Sequence, residues 1–347
     1  MKQRSVTFDE KCLASTPKLK RRHRRSRVHV PEGTVKPPSG DDFNPEIAAQ
    51  ALRKAFRGLG TDEKVVIDVI ASHANWQRQD IKKKYKAVYG RDLIHDLEDE
   101  LGGHFLDACL ALMCPSHVYD AQSLRKALLL TKTDEQCVVE ILCTRDASEI
   151  ELIKQAYNQE FGDRLEANLL SMTSDGFGAI VKSIITEKAT QNGQPDLKEC
   201  EKDALKLIAT GASQWTTNGS YLKQLLCLRS AEQLKFIFEA YKKKTGHSIE
   251  QEIRKEFEAG ARDGLLAMIK IIRNPIGYFA DRIADCLHGT GTDDDTLIRL
   301  VVSRSEIDLQ TIKEEFQRRY KKSLTKAVRD ECSGDYGRLL LKLVGEP

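Results

Sequence analysis

Two stretches near opposite ends of the 347-residue chain repeat one pattern: Phe56-Arg57-Gly58-Leu59-Gly60-Thr61-Asp62-Glu63 and Leu287-His288-Gly289-Thr290-Gly291-Thr292-Asp293-Asp294. A glutamate follows each at the same distance, Glu100 standing 39 positions after Thr61 and Glu331 39 positions after Thr292. Glycine reaches backbone angles that let a short turn aim several carbonyls at one point, and a carboxylate adds a charged oxygen. Carbonyls and a carboxylate together are the donor set of a hard cation. Either turn alone reads as an ordinary helix-to-helix connection with a capping residue. Two turns that both keep a glutamate in register read as metal sites.

The elements that must hold these turns are helices. Apolar residues recur at helical spacing in Ile47, Ala48, Ala51, Leu52, Ala55 and Phe56, and again in Val65, Val66, Val69 and Ile70. The glycine turn joins the two, with Thr61 expected as N-cap and Asp62 and Glu63 favourable in the first turn. Further helices are expected around 75–88, 91–100 and 104–112, the first of these ended by Tyr89-Gly90. The scheme returns at Thr133, Thr217 and Thr292, at intervals of 72, 84 and 75 residues, the longest absorbing the turn-rich Gln191-Asn192-Gly193-Gln194-Pro195. The expectation is an all-α fold of four repeats of about five helices each, at 43–115, 116–190, 199–273 and 274–347. A disordered basic tail, residues 1–42, precedes them.

Charge divides the same way. Residues 1–42 carry eleven Lys or Arg against five acids, so of the net +3 the tail holds +6 and the remainder is −3. A slightly acidic body does not hold an anionic surface by bulk electrostatics; it needs local cations or a metal. The nine cysteines lack zinc-type spacing, and several sit in apolar helical patterns, as reduced core thiols of a cytosolic protein do. No stretch has the apolar run of a signal peptide or approaches the roughly 18 residues of a membrane span, so a membrane role is peripheral. Eight scattered histidines, no His/Cys nucleophile signature and no phosphate-cradling loop argue against an enzyme.

Beyond the two loops, the run Thr296-Leu297-Ile298-Arg299-Leu300-Val301-Val302-Ser303-Arg304-Ser305-Glu306-Ile307-Asp308-Leu309 and the closing Cys332-Ser333-Gly334-Asp335-Tyr336 carry a specific likeness. From residue 43 to 347 the chain resembles the annexins, four-repeat proteins that bind acidic phospholipid when calcium is present. The resemblance implies a curved disc with calcium loops on its convex face. It assigns the carbonyls of Phe56, Gly58 and Gly60 and the carboxylate of Glu100 to one calcium site, and Leu287, Gly289, Gly291 and Glu331 to another. One carboxylate per site gives weak intrinsic affinity, in the range of about 10⁻⁴ to 10⁻³ M. A lipid phosphate that completes the coordination tightens calcium as calcium tightens lipid. The implied function is calcium-dependent binding to acidic phospholipid such as phosphatidylserine, with vesicle bridging or lipid shielding as its forms.

The middle repeats depart from that pattern. In the second, Leu130 and Lys132 stand where glycines should, and the 39-residue step lands on Met172, so the site is expected to be silent for calcium. The third keeps Gly211 and, 39 residues after Thr217, Glu256, but Thr216 replaces a glycine. The family pattern would use the carbonyls of Gly211, Gln214 and Thr216 with Glu256. Trp215 lies among polar turn residues and is expected at the membrane interface, alternatively folded back onto its repeat. Arg57 and His288 are the other expected membrane contacts.

The resemblance also places Asp120, Glu140, Arg145, Arg299, Arg304 and Asp308 along a hydrophilic centre, as paired buried charges or as an ion path. Residues 18–27 of the tail hold seven basic residues in ten, which suits an anionic-lipid contact, or alternatively nuclear import or nucleic-acid binding. The expected location is the cytoplasm, with peripheral membrane attachment on a calcium rise, and the nucleus or export without a signal peptide as alternatives.

Overall fold

The computed structural model describes residues 30–40, 42–58, 60–130, 133–172, 177–187, 195–216, 220–288 and 291–345. The basic run 18–27 and Lys132 lie outside them. Twenty α-helices occur among the described residues, in four sets of five, with no strand. The first set is α1 (Pro45–Ala55), α2 (Glu63–Ser72), α3 (Asn75–Tyr89), α4 (Leu93–Glu100) and α5 (Gly103–Met113). The second is α6 (Ser116–Leu129), α7 (Glu135–Thr144), α8 (Ala147–Phe161), α9 (Leu165–Met172) and α10 (Phe177–Glu187). The third is α11 (Leu197–Thr210), α12 (Tyr221–Leu228), α13 (Ala231–Thr245), α14 (Ile249–Glu256) and α15 (Ala259–Arg273), with one 3₁₀ turn, Ala212–Gln214, between α11 and α12. The fourth is α16 (Pro275–Leu287), α17 (Asp294–Arg304), α18 (Leu309–Tyr320), α19 (Leu324–Glu331) and α20 (Gly334–Leu343).

Local chemistry sets the helix ends. Pro45 occupies the first turn of α1, and the side chain of Asn44 accepts from the N–H groups of Glu46 and Ile47. The third helix of each set stops at a left-handed residue, Gly90, Gly162 and Gly246 in turn, and Lys321 in the last. In every repeat the first helix packs on the third, as α1 on α3 and α16 on α18. Between repeats, α2 packs on α20 and α5 on α17, joining the first repeat to the fourth; α7 on α15 and α10 on α12 join the second to the third.

Charged side chains link these pairs. The Glu140 carboxylate on α7 accepts from Tyr278 Oη and Arg282 Nε on α16, each at 2.7 Å, and from Arg299 Nη1 on α17 at 2.5 Å. Arg145 donates to both Asp120 oxygens, at 2.7 and 3.1 Å, and Arg304 Nε donates to Asp308 at 2.7 Å. All six residues expected at the hydrophilic centre are buried and paired, as an unpaired interior charge would be too costly to keep. Burial pushes the Glu140 carboxyl up, but the charges of Arg299 and Arg282 and the bonds from Arg282 and Tyr278 outweigh it and hold it below its ordinary value.

Residues 31–40, which the composition assigns to the tail, are held by the folded body. The N–H groups of Thr34 and Val35 donate to the Ser305 carbonyl at 2.8 and 3.1 Å, and Gln310 N–H donates to the Glu32 carbonyl at 2.9 Å. Gln77 Nε2 donates to the Pro38 carbonyl at 3.0 Å, so this strap touches both the fourth and the first repeat. Gly33 passes so close that a Cβ there would lie 2.6 Å from the Ser305 carbonyl oxygen. A segment held by its backbone shows no apolar period, which is why composition alone misplaces it.

Removing the Glu140 carboxylate leaves the buried Arg299 and the half-buried Arg282 guanidinium groups uncompensated. Glu140→Ala should therefore destabilise the fold by about 3–5 kcal/mol, measured by chemical unfolding at neutral pH. Because the folded Glu140 value is depressed, its stabilisation is fully present above the ordinary 4.5 and is lost as pH falls through the depressed value. The gap between wild type and variant should close over that acidic window, and a constant gap would contradict the pairing.

Candidate metal centre in the interhelical loops

The first loop is built by an aspartate. Asp62, not Thr61, is the N-cap of α2: its side chain accepts from Val65 N–H at 3.1 Å, while its own N–H donates to the Ala55 carbonyl at 3.0 Å and closes the turn. That frees the Thr61 hydroxyl, which donates to Glu100 Oε2 at 2.7 Å. The carboxylate 39 positions away is thus brought against the loop. Gly58 and Gly60 have φ of +123° and +89°, with open space where a Cβ would be, so backbone angle rather than crowding demands glycine. Among the described residues no hydrogen bond occupies the carbonyls of Phe56, Gly58 or Gly60.

The fourth loop repeats the construction. Asp293 caps α17 through Thr296 N–H at 3.2 Å and donates its own N–H to the Cys286 carbonyl at 3.1 Å. Gly291 has φ of +145°, and the carbonyls of Leu287 and Gly291 accept no hydrogen bond among the described residues; Gly289 lies outside them. Glu100 ends α4 and Glu331 ends α19, both exposed. A carboxylate at a helix C-terminus faces the negative end of the helix dipole, which costs about 0.3–1 kcal/mol unless a cation offsets it. Both glutamates line a single cleft of about 540 Å³ with Thr292, Asp294, His104 and Tyr336. Sequence separates the two sites by more than half the chain; the α2–α20 and α5–α17 contacts bring them together. Among the described residues no three Asp, Glu, His or Cys side chains form a metal cluster, so a cation here would draw mainly on carbonyls, as these loops allow.

The second loop keeps the scaffold and loses the donors. Asp134 caps α7 through Cys137 N–H at 3.0 Å and donates to the Ala127 carbonyl at 3.1 Å, but Leu130 has φ of −61° and Met172 ends α9 where the glutamates end α4 and α19. The third loop is built differently. Its 3₁₀ turn uses the Gly211 carbonyl to accept Gln214 N–H at 3.2 Å, so one of the expected donors is already engaged. Glu256 lies 3.2 Å from Lys255 Nζ. Six positions after the marker threonine the other repeats bury Ile67, Val139 and Ile298, whereas the third buries Lys223. Its ammonium approaches the Thr216 carbonyl, another expected donor, at 3.4 Å, and burial pushes the lysine pKa down. No signal in the loop itself foretells that lysine, since it enters from the following helix.

Trp215 is fully buried, with its ring 5.7 Å from that of Tyr241, and so is not the surface contact expected from its polar neighbours. The Ser220 hydroxyl donates to the Trp215 carbonyl at 2.9 Å, turning the backbone so that the large apolar ring faces the core; the indole Nε1 has no partner among the described residues. Arg57 and His288 are exposed, the His288 Nδ1 facing the Ala284 carbonyl.

A family model described as Annexin matches residues 47–112, 119–184, 202–268 and 278–343, one match per set of five helices. The chain belongs to the annexin family. Annexin A4 of Bos taurus is 42% identical over 313 residues, covering 90% of this chain and 98% of the relative. The solved structure of annexin III superposes with a TM-score of 0.86 at 37% identity, over 91% of this chain and 98% of the other. That of calcium-bound annexin (Sm)1 gives 0.78 at 28% identity, over 91% and 94%. Annexins are calcium-dependent phospholipid-binding proteins. In this annexin the first and fourth loops share one construction, the second keeps its closing bond without the glycines, and the third is closed differently.

The two tryptophans give a direct check, because Trp76 is 57% exposed and Trp215 is not exposed at all. In calcium-free buffer Trp76→Phe should leave a blue-shifted emission that iodide quenches poorly. Emission at the wavelength of free indole would mean that Trp215 is at the surface.

Proposed function

We propose that this annexin attaches to acidic phospholipid membranes in a calcium-dependent manner through its first and fourth loops. The ligands in this reading are the carbonyls of Phe56, Gly58 and Gly60 with Glu100, and those of Leu287, Gly289 and Gly291 with Glu331. The observation that carries it is the joining of Thr61 to Glu100 at 2.7 Å beside two glycines of positive φ and carbonyls that no described residue occupies. Bound calcium would supply the positive charge that lets an acidic loop hold a lipid phosphate. The two carboxylates, Glu100 and Glu331, line one cleft, which supports a joint attachment in which each site strengthens the other through effective concentration. Arg57 and His288, exposed beside the two loops, are in position to meet headgroups.

The second loop is read as silent for calcium for want of donors. The third is read as closed in this conformation, its Thr216 carbonyl facing an ammonium and its Gly211 carbonyl spent within the turn. Trp215 would contribute to membrane contact only after that loop rearranges. The basic run 18–27 would add electrostatic attraction of about 1 kcal/mol per basic residue near an anionic surface.

The test is co-sedimentation with phosphatidylserine vesicles across a calcium titration. Wild type should pellet with calcium and be released by chelator, and Glu100→Gln with Glu331→Gln should abolish pelleting over the same range. Deleting residues 1–29, which spares the strap, should weaken binding at low calcium. Pelleting indifferent to calcium would move the function to the basic segment, and RNA affinity that falls steeply with salt in the absence of calcium would favour nucleic acid instead.

A further inference from the structure

The second loop carries a different surface where its metal donors are missing. Leu129, the last residue of α6, and Leu130, its cap, are 57% and 49% exposed and adjacent. Four and three positions before the marker threonine, the other loops carry Arg57 and Gly58, Ser213 and Gln214, and His288 and Gly289. None of those six residues is a large apolar one. Single exposed leucines are ordinary on protein surfaces; a consecutive pair at the one loop stripped of glycine and glutamate is not explained that way.

We propose that Leu129 and Leu130 form an apolar tip that enters the lipid interface, so that the second repeat attaches by insertion where the first and fourth attach through a metal. This rests on the membrane reading above. The supporting geometry is the position of the tip. The second loop has the same closing bond, Asp134 N–H to the Ala127 carbonyl, that shapes the first and fourth. Lys126, one turn before the tip, reaches Asp295 of the fourth repeat at 2.8 Å, and Leu130 lines a cleft of about 490 Å³ together with Asp293, the residue that closes the fourth loop. The leucines therefore stand beside a proposed lipid-facing loop. Two side chains bury far too little area to hold a protein partner, for which roughly 1,200 Å² or more is usual. They suffice as an added anchor for a body already attached at neighbouring points, because apolar area removed from water strengthens a multivalent contact directly. Insertion at the headgroup boundary needs no backbone change, since both side chains already stand in solvent.

The experiment compares wild type with a Leu129→Ser, Leu130→Ser double variant on phosphatidylserine and phosphatidylcholine vesicles at fixed calcium. The expected result is vesicle affinity about tenfold weaker, with the calcium midpoint at saturating lipid and the thermal midpoint unchanged. In a second arm, lipids brominated on the acyl chain should quench the added emission of a Leu130→Trp variant beyond the quenching seen for wild type. If wild type pellets with calcium and the serine variant pellets equally well, the insertion proposal is overturned alone. If pelleting is indifferent to calcium but lost in the serine variant, the calcium reading fails and insertion stands. Wild type that never pellets overturns both. Concentration-dependent dimerisation abolished by the serines, with vesicle affinity unchanged, would assign the tip to a second copy of this chain and overturn the proposal.

Discussion

One aspartate in each of three repeats does two jobs at once, and the loops depend on it. Asp62, Asp134 and Asp293 each cap the second helix of a repeat with the side chain and tie that helix to the end of the first through the backbone N–H. A capping side chain is worth about 1 kcal/mol, and the backbone bond fixes where the turn begins and ends. With both ends fixed, the residues between have a set span to cover. Glycines there leave carbonyls without a hydrogen bond among the described residues, as at Gly58 and Gly60; leucines leave exposed apolar side chains, as at Leu129 and Leu130. The scaffold is indifferent to which chemistry it presents.

In the third repeat the connection is made by other means. Its turn is closed by 3₁₀ bonds from the N–H groups of Gln214 and Trp215 to the Gly211 and Ala212 carbonyls, and the Trp215 ring is buried beneath it. A lysine at a position that is Ile67, Val139 and Ile298 elsewhere then points its ammonium at the loop backbone. A buried ammonium needs acceptor oxygens, and the Thr216 carbonyl supplies one.

The apolar faces and the Glu140, Asp120 and Asp308 ion pairs bind helices and repeats together away from the loops. The carboxylates at the ends of α4 and α19 sit at the unfavourable pole of their helices and are exposed, so packing gives no reason for them. Glutamate in that place belongs to the proposed metal sites, and α9 ends instead on a methionine.

The sequence by itself determined the number of repeats, the five-helix scheme, the two loops that pair glycines with a glutamate 39 positions on and the loop that has neither. Helical period, glycine and a fixed 39-residue step are local signals, and local signals survive in a one-dimensional reading. The family resemblance, not the residues alone, placed the interior charges, and their pairing then follows because buried charge must be compensated. Only the tertiary structure decided that Glu100 and Glu331 share a cleft, because the contact of the first repeat with the fourth is made by helices remote in sequence. It alone decided that residues 31–40 are a strap, held by backbone bonds that leave no residue pattern. The burial of Trp215 and the approach of Lys223 to Thr216 were likewise its decisions. Whether a side chain in a turn faces water or core depends on the room beneath the turn, and that room is made by the helices around it.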